Sequence, residues 1–231
     1  MNTTKPYLVA ISGGSGSGKS TLAAALSKAY SKIGVSIFHE DRYYRPMSHY
    51  GENLSGSERD EAVAKINFDS PESKDADLIY AHLHQLLSGQ PVQQPIYDYE
   101  RHDRNPDQSH HLEPAGIIIV EGIHALSLPE IRPLFDLSVY LHTPDDLRLA
   151  RRIRRDVIER GRSVDGILHQ YLESVRPSHY KYTHPAMFDA ELVIVDEGLP
   201  ARGHIRSDTS TIKRLMAPII EHLTKQGLRP D

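Results

Sequence analysis

"LVAISGGSGSGKSTLAAAL", Leu8 to Leu26, is the stretch on which the reading of the whole chain turns. An apolar run ends in glycines, and alanines and leucines at helical spacing follow at once. "YLVAIS" (7–12) does not alternate, so it predicts a strand buried on both faces, as in a parallel sheet. "KSTLAAALSKAYSKI" predicts a helix with Leu22, Leu26 and Ile33 on one side, stopped by Gly34. "VSIFHED" (35–41) predicts a second strand and completes a βαβ unit. Between strand and helix, Gly13, Gly18, Lys19 and Ser20 satisfy G-x-x-x-x-G-K-[ST] in the strand-to-helix setting that gives this motif its meaning. The loop Gly13, Gly14, Ser15, Gly16, Ser17, Gly18, Lys19, Ser20 and Thr21 is therefore expected to wrap a polyphosphate. Its N–H groups and the helix N-terminus would face the anion. Lys19 would reach the terminal phosphates, and the Ser20 hydroxyl would bind Mg²⁺, which prefers oxygen. The loop does not name the acceptor of the phosphate.

Downstream, the pattern of strand and helix continues. "DADLIYAHLHQLLSG" (75–89) predicts a helix with Leu78, Leu83, Leu86 and Leu87 buried. "GIIIVEG" (116–122), "DLSVYLHTP" (136–144) and "AELVIVDEG" (190–198) predict further strands. "DLRLARRIRRDVIERGR" (146–162) predicts a helix with Leu149, Ile153 and Val157 inward. "STIKRLMAPIIEHL" (210–223) predicts a closing helix kinked or interrupted at Pro218. Gly51 to Ser70 is polar at first and reads as a loop. Residues 90–114, rich in proline and tyrosine, read as a hairpin or small lobe off the main sheet. Alternating elements imply a doubly wound parallel α/β sheet in one domain over 1–231, of the P-loop type, with a small β-rich lobe and an arginine-rich lid helix.

Composition narrows the classes. Lys plus Arg total 27 against 31 Asp plus Glu, so the net charge of −4 gives no overall pull toward nucleic acid or anionic membrane. There is no cysteine, which excludes disulfides and thiolate metal sites and suits a reducing compartment. No apolar run approaches the length of a membrane span. The opening "MNTTKPYLVA" has no apolar signal region, so the expectation is a cytoplasmic protein.

In an open α/β sheet, ligands gather beyond the C-terminal strand ends. Glu121 follows "GIIIV" and suits Mg²⁺, although a loop-start acid can also cap a backbone N–H. Asp41 follows "SIFHE" and suits the acceptance of a proton from an attacking hydroxyl. Glu40 competes for that role. Seven arginines fall between Arg148 and Arg162. Arg148, Arg152 and Arg155 share a helix face, and Arg160 and Arg162 flank Gly161. Arginines closing over a phosphate stabilise the charge that develops during transfer.

"GGSGSGKST", "EDRYYR", "INFDSP", "PIYDYERHDR", "IIIVEGIHAL", "RRIRRDVIERGRS" and "QYLESVRPSHYKY" occur in this order. Together, over about residues 7 to 198, they resemble the uridine kinase (uridine–cytidine kinase) family, within the larger group that includes phosphoribulokinase. The resemblance implies transfer of the γ-phosphate of ATP or GTP, with Mg²⁺, to the 5′-hydroxyl of uridine or cytidine in pyrimidine salvage. It makes Asp41 the catalytic aspartate, which breaks the tie with Glu40. Tyr44 and Phe68 match positions around the pyrimidine, Asp69 a carboxylate on the ribose hydroxyls, and Tyr97 and His102 the readers of the base edge. Arg152 matches a ribose-side arginine, Arg155 and Arg160 phosphate-side arginines, and Arg162 and Gln170 donors near the base carbonyl. Residues 90–114 become a substrate-binding hairpin and 146–176 the lid region. A homotetramer is also implied.

Two segments depart from the family pattern: "PMSHYGENLSGSERDEAVAK" (46–65) and "VDEGLPARGHIRSDTSTIK" (195–213). Neither touches a matched residue. Three rivals stand beside this reading. A phosphoribulokinase-like enzyme would have no use for an aromatic base cradle. A non-catalytic nucleotide-dependent switch leaves "NFD" and "YDYERH" without a role. An RNA-binding arginine helix sits poorly with the acidic balance.

Overall fold

The structure, a computed structural model, describes residues 5–51, 56–197 and 209–231. Its strands are β1 (Tyr7–Ser12), β2 (Val35–His39), β3 (Val92–Asp98), β4 (Asp103–Leu112), β5 (Ile117–Glu121), β6 (Leu137–His142) and β7 (Leu192–Val195). Five of them form a parallel sheet in the order β2–β5–β1–β6–β7. β3 and β4 pair with each other as a separate antiparallel ribbon.

The unbroken apolar runs of β1 and β5 follow from helices on both faces. On one face, Val9, Ile11, Ile117 and Ile119 pack against Leu22 and Leu26 of helix α1 (Lys19–Ala29) and Ile219 and Leu223 of the closing helix (Thr209–Lys225). On the other, Leu8, Ile118 and Val120 pack against other elements. Among the described helices, α2 (Gly56–Lys65) buries none of its residues, while α3 (Ala76–Leu87) supplies Ile79, Leu83 and Leu86 to that second core. Each such side chain contributes about 1.5–3 kcal/mol on burial. This is the doubly wound P-loop α/β fold expected. Among the described residues, no helix is long and apolar enough to cross a membrane.

Several expectations need correction. Residues 56–65 are helical rather than loop; α2 is polar on every side, so no periodicity betrays it. The second strand stops at His39, because Glu40–Tyr43 tightens into a 3₁₀ turn. α1 ends at Ala29, and Gly34, at φ +81°, closes the following turn by donating to the Tyr30 carbonyl. The closing helix runs unbroken through Pro218. The proline lies on the exposed side of the helix, where its ring does not disturb the packed face.

The arginine helix α4 (Asp145–Arg160) is rotated from the expected setting. Arg148, Arg152 and Asp156 face inward, Leu149 and Ile153 are half-buried, and Val157 is exposed. The cause is its neighbour: α4 packs on the polar phosphate loop, not on an apolar core. After α5 (Val164–Gln170) the helix continues through wide π turns, Tyr171–Val175 and His179–Thr183, on either side of Pro177. Of the two departing segments, 46–65 contains α2, with 52–55 outside the described residues. Most of the second, 198–208, also lies outside them.

Candidate active site

Sheet register brings the site together. Glu121 is paired with Ile11 on one side and His39 on the other. The phosphate loop after β1, the acid ending β5 and the Asp41 turn after β2 therefore emerge side by side. Beyond them opens a cavity of about 1350 Å³. Every site residue singled out from the sequence lines it, except Gly13 and Gly14, which form the back of the loop, and Arg148, which lies behind that loop.

The loop fits an anion. Gly13 and Gly16 have φ of +148° and +82°, and a Cβ would come within 2.4 Å of the Leu141 carbonyl oxygen and 2.5 Å of that of Arg148. Only glycine fits this close approach. Lys19 Nζ donates to the Gly13 and Gly14 carbonyls at 2.9 and 3.1 Å, and burial lowers its pKa to about 8. Ser20 Oγ donates to Glu121 Oε1 at 3.1 Å, and the same oxygen meets His39 Nδ1 at 2.7 Å. Glu121 is only 5% exposed. A hydroxyl and a buried carboxylate at this spacing are an oxygen donor set suited to Mg²⁺.

Glu40 and Asp41 separate cleanly. Glu40 is buried, ion-paired with Lys74 and bonded to the backbone N–H of His124. Asp41 faces the cavity and accepts a hydrogen bond from Tyr99. Burial lowers the pKa of His124 to about 4 and keeps its ring neutral; Nε2 meets the Asp69 carbonyl oxygen at 3.0 Å, so Nε2 carries the proton. That bond ties the end of β5 to the Asp69 turn. The Asp69 carboxylate accepts from Ser174.

The aromatic residues form a continuous wall. Tyr44 lies 4.8 Å from Tyr97 and 5.9 Å from Phe68, which stacks on His102 at 5.1 Å. His102 sits at φ +47° in the turn of the ribbon, a setting unusual for a residue with a side chain. Asp98 braces that turn by accepting from the N–H groups of Glu100 and Arg101, and the Arg101 bond above all lowers its pKa. Burial lowers the pKa of His102.

The arginines converge on a residue that sequence reading passed over. Asp156, fully buried, lies 2.8 Å from Arg155, 3.6 Å from Arg152, 3.7 Å from Arg160 and 3.8 Å from Arg162. Arg152 also donates to Ser15 Oγ and to Gln170 Oε1, which Arg162 shares. Arg148 stands apart behind the loop, bonded to the Thr143 carbonyl and Asp145. Tyr99, Lys74 and Asp156 were all missed. Only Asp156 carried a signal, as one of just two acids, with Glu159, inside "RRIRRDVIER".

A model of the Phosphoribulokinase / Uridine kinase family matches residues 8–199. A uridine kinase from Oceanobacillus iheyensis is 36% identical over 228 residues, covering 99% of this chain and 100% of that protein. One from Brevibacillus brevis is 42% identical over 193 residues, 84% of this chain and 86% of that protein. Phosphoribulokinase from Rhodobacter spheroides superposes with a TM-score of 0.57 at 14% identity, over 87% of this chain and 76% of that one. D-glycerate 3-kinase from Cryptococcus neoformans gives 0.60 at 14%, over 83% and 86%. These two show the fold alone. The family match spans every segment that builds the cavity except the closing helix, and the chain belongs to the phosphoribulokinase/uridine kinase family of kinases.

Proposed function

We propose that the protein transfers the γ-phosphoryl group of ATP or GTP to the 5′-hydroxyl of uridine or cytidine, forming UMP or CMP for pyrimidine salvage in the cytoplasm. One observation carries this reading: the wall of Tyr44, Phe68, Tyr97 and His102 stands beside Asp69 in the same cavity as the phosphate loop. A flat base stacks on such a wall. A neutral His102 offers one donor and one acceptor to a base edge, and a carboxylate accepts from both hydroxyls of a cis-diol. The close kinship to proteins named uridine kinase supports the same substrate. A sugar-phosphate acceptor would leave this wall unused.

Ser20 and Glu121 would hold Mg²⁺, which neutralises charge across the β- and γ-phosphates. The loop N–H groups and Lys19 hold the donor. Asp41 accepts the proton of the 5′-hydroxyl as its oxygen bonds to the γ-phosphorus and the bond to the β-phosphate oxygen breaks. Arg155 and Arg160 stabilise the moving charge, while Arg152, Arg162 and Gln170 line the acceptor side. In this reading residues 90–114 carry the base and 146–176 close over it.

The test supplies Mg²⁺, ATP or GTP and a panel of nucleosides with ribulose 5-phosphate. Uridine and cytidine should be phosphorylated at the 5′ position, and adenosine and ribulose 5-phosphate should not. Asp41→Asn should lower turnover about 10²- to 10⁴-fold, the range for a lost general base. Ribulose 5-phosphate outperforming every nucleoside would reject the proposal. Light scattering tests the homotetramer.

A further inference from the structure

Tyr99 sits at the tip of the β3–β4 ribbon and makes two contacts that link separate parts of the cavity. Its hydroxyl donates to Asp41 Oδ2 at 3.1 Å. The Arg160 guanidinium lies over its ring, 4.6 Å from the centroid. The ring is also braced against Tyr97 at 5.3 Å and Tyr44 at 6.4 Å, both edge-on. Tyr99 thus touches the carboxylate after β2, the last residue of α4 and the aromatic wall together.

We infer that Tyr99 is a positioning residue for phosphoryl transfer: it holds one oxygen of Asp41, aims the other at the acceptor, and ties that aim to the place of Arg160. The inference rests on the kinase reading above, with Asp41 as the base. A carboxylate on a short side chain has one soft torsion that decides where its oxygens point. A donor on Oδ2 fixes that torsion and leaves Oδ1 as the free acceptor. Partial burial and the nearby Asp41 charge raise the Tyr99 pKa above its ordinary value. The phenol therefore stays protonated and acts only as a donor to Asp41. Arg160 on the ring face adds a cation–π contact. Arg160 also lies near the buried Asp156, so the base and the arginine cluster share one aromatic support.

The discriminating pair is Tyr99→Phe and Tyr99→Leu. The first keeps the ring, the stack on Arg160 and the packing on Tyr97, and deletes only the hydroxyl. Tyr99→Phe should lower kcat about 10-fold, with the uridine KM within about twofold, because a charge-assisted hydrogen bond is lost without loss of the base wall. A donor to a carboxylate favours its charged form. The acid limb of the kcat profile should therefore move upward by about half a unit to one unit. The midpoint of the Asp41 titration, read by ¹³C NMR in the substrate-free protein, should move the same way. The other ionisable groups lining the cavity are Lys19, Glu40, Tyr44, Asp69, Lys74 and Glu121, with Tyr97, Asp98, Glu100 and His102 from the ribbon and Arg151, Arg152, Arg154, Arg155, Glu159, Arg160 and Arg162 from α4 and its end. They are common to both proteins, so their field cancels in the comparison. Tyr99→Leu should lose a further several-fold in kcat by releasing Arg160.

A Tyr99→Phe variant with wild-type kcat and an unmoved Asp41 titration overturns the inference. A fall in kcat with no movement of either titration also overturns it, because a structural defect alone would do that. If the wild type phosphorylates no nucleoside, the kinase reading fails, and the NMR titration still decides whether Tyr99 controls Asp41.

Discussion

Lys74 Nζ lies 2.9 Å from Glu40 Oε1, with both side chains wholly buried. The lysine also stands over the Tyr44 ring, 3.2 Å from its centroid, and the backbones of Tyr44 and Lys74 form a β-bridge. The pair explains why two adjacent acids have different fates. Glu40 is consumed inside the protein, binding Lys74 and the loop after β5, and so presses its neighbour Asp41 outward. It also fixes Tyr44, one side of the aromatic wall.

Removing one partner leaves an uncompensated buried charge. Lys74→Met should cost about 3–5 kcal/mol in urea unfolding. Glu40→Gln combined with Lys74→Met should recover most of that loss, because the double variant buries no charge. A double variant as unstable as the single one would contradict this account.

Lys19 gives a pH prediction. Its pKa is lowered by burial from 10.5 unfolded to about 8 folded. Between those values the unfolded chain binds more protons, so stability rises with pH across that window. Below pH 8 the full cost of about 3 kcal/mol is present. Lys19→Met should therefore abolish phosphate transfer yet unfold later at pH 7, by about 1–3 kcal/mol after the lost bonds to the Gly13 and Gly14 carbonyls are discounted. The advantage should shrink from pH 8 toward pH 10.5. Equal urea midpoints at pH 7 would argue against it.

The role proposed for Asp69 predicts a ribose preference. With a carboxylate accepting from the diol, 2′-deoxyuridine should be about 10- to 100-fold poorer than uridine in kcat/KM, the worth of a hydrogen bond to a charged group. Asp69→Ala should narrow that gap, and His102→Ala should weaken both nucleosides alike and keep it. A wild-type enzyme indifferent to the 2′-hydroxyl would remove Asp69 from the role.

Asp156 is the shared counterion of the arginine cluster. Asp156→Asn should lower stability by about 3 kcal/mol, since several cations then face each other around a buried site. Added salt should lessen the loss by screening that repulsion. Melting curves at low and high salt decide it; a salt-independent loss would point to packing instead.

The parallel sheet was legible in advance because its strands are apolar throughout and its turns carry glycines. The phosphate loop was legible because spacing and setting agree. α2 was not, since a helix polar on all sides has no stripe to detect. The orientation of α4 was misread for a related reason. Leu149, Ile153 and Val157 form an apolar stripe, but the surface that α4 meets is the polar loop, and Arg148 and Arg152 follow their partners inward. Glu40 and Asp41 could not be ranked from the residues alone, because the choice depends on Lys74, thirty-odd positions away. Tyr99 escaped notice because its partners come from segments far apart in the chain.

Arg148 and Gly16 have a mechanical consequence. A Gly16 Cβ would come 2.5 Å from the Arg148 carbonyl oxygen and a Gly14 Cβ 2.2 Å from its guanidinium, so the first turn of α4 is seated directly on the phosphate loop. The helix is a lever with its fulcrum on the donor site. Arg160 lies about 18 Å along the axis from Arg148 at 1.5 Å per residue. A rotation of only ~10° at the root then carries Arg160 through ~3 Å at the tip, while the contact at Gly16 scarcely moves. Whatever seats in the loop is thereby geared to what happens over Asp41, through a rigid arm and without any change in the sheet beneath.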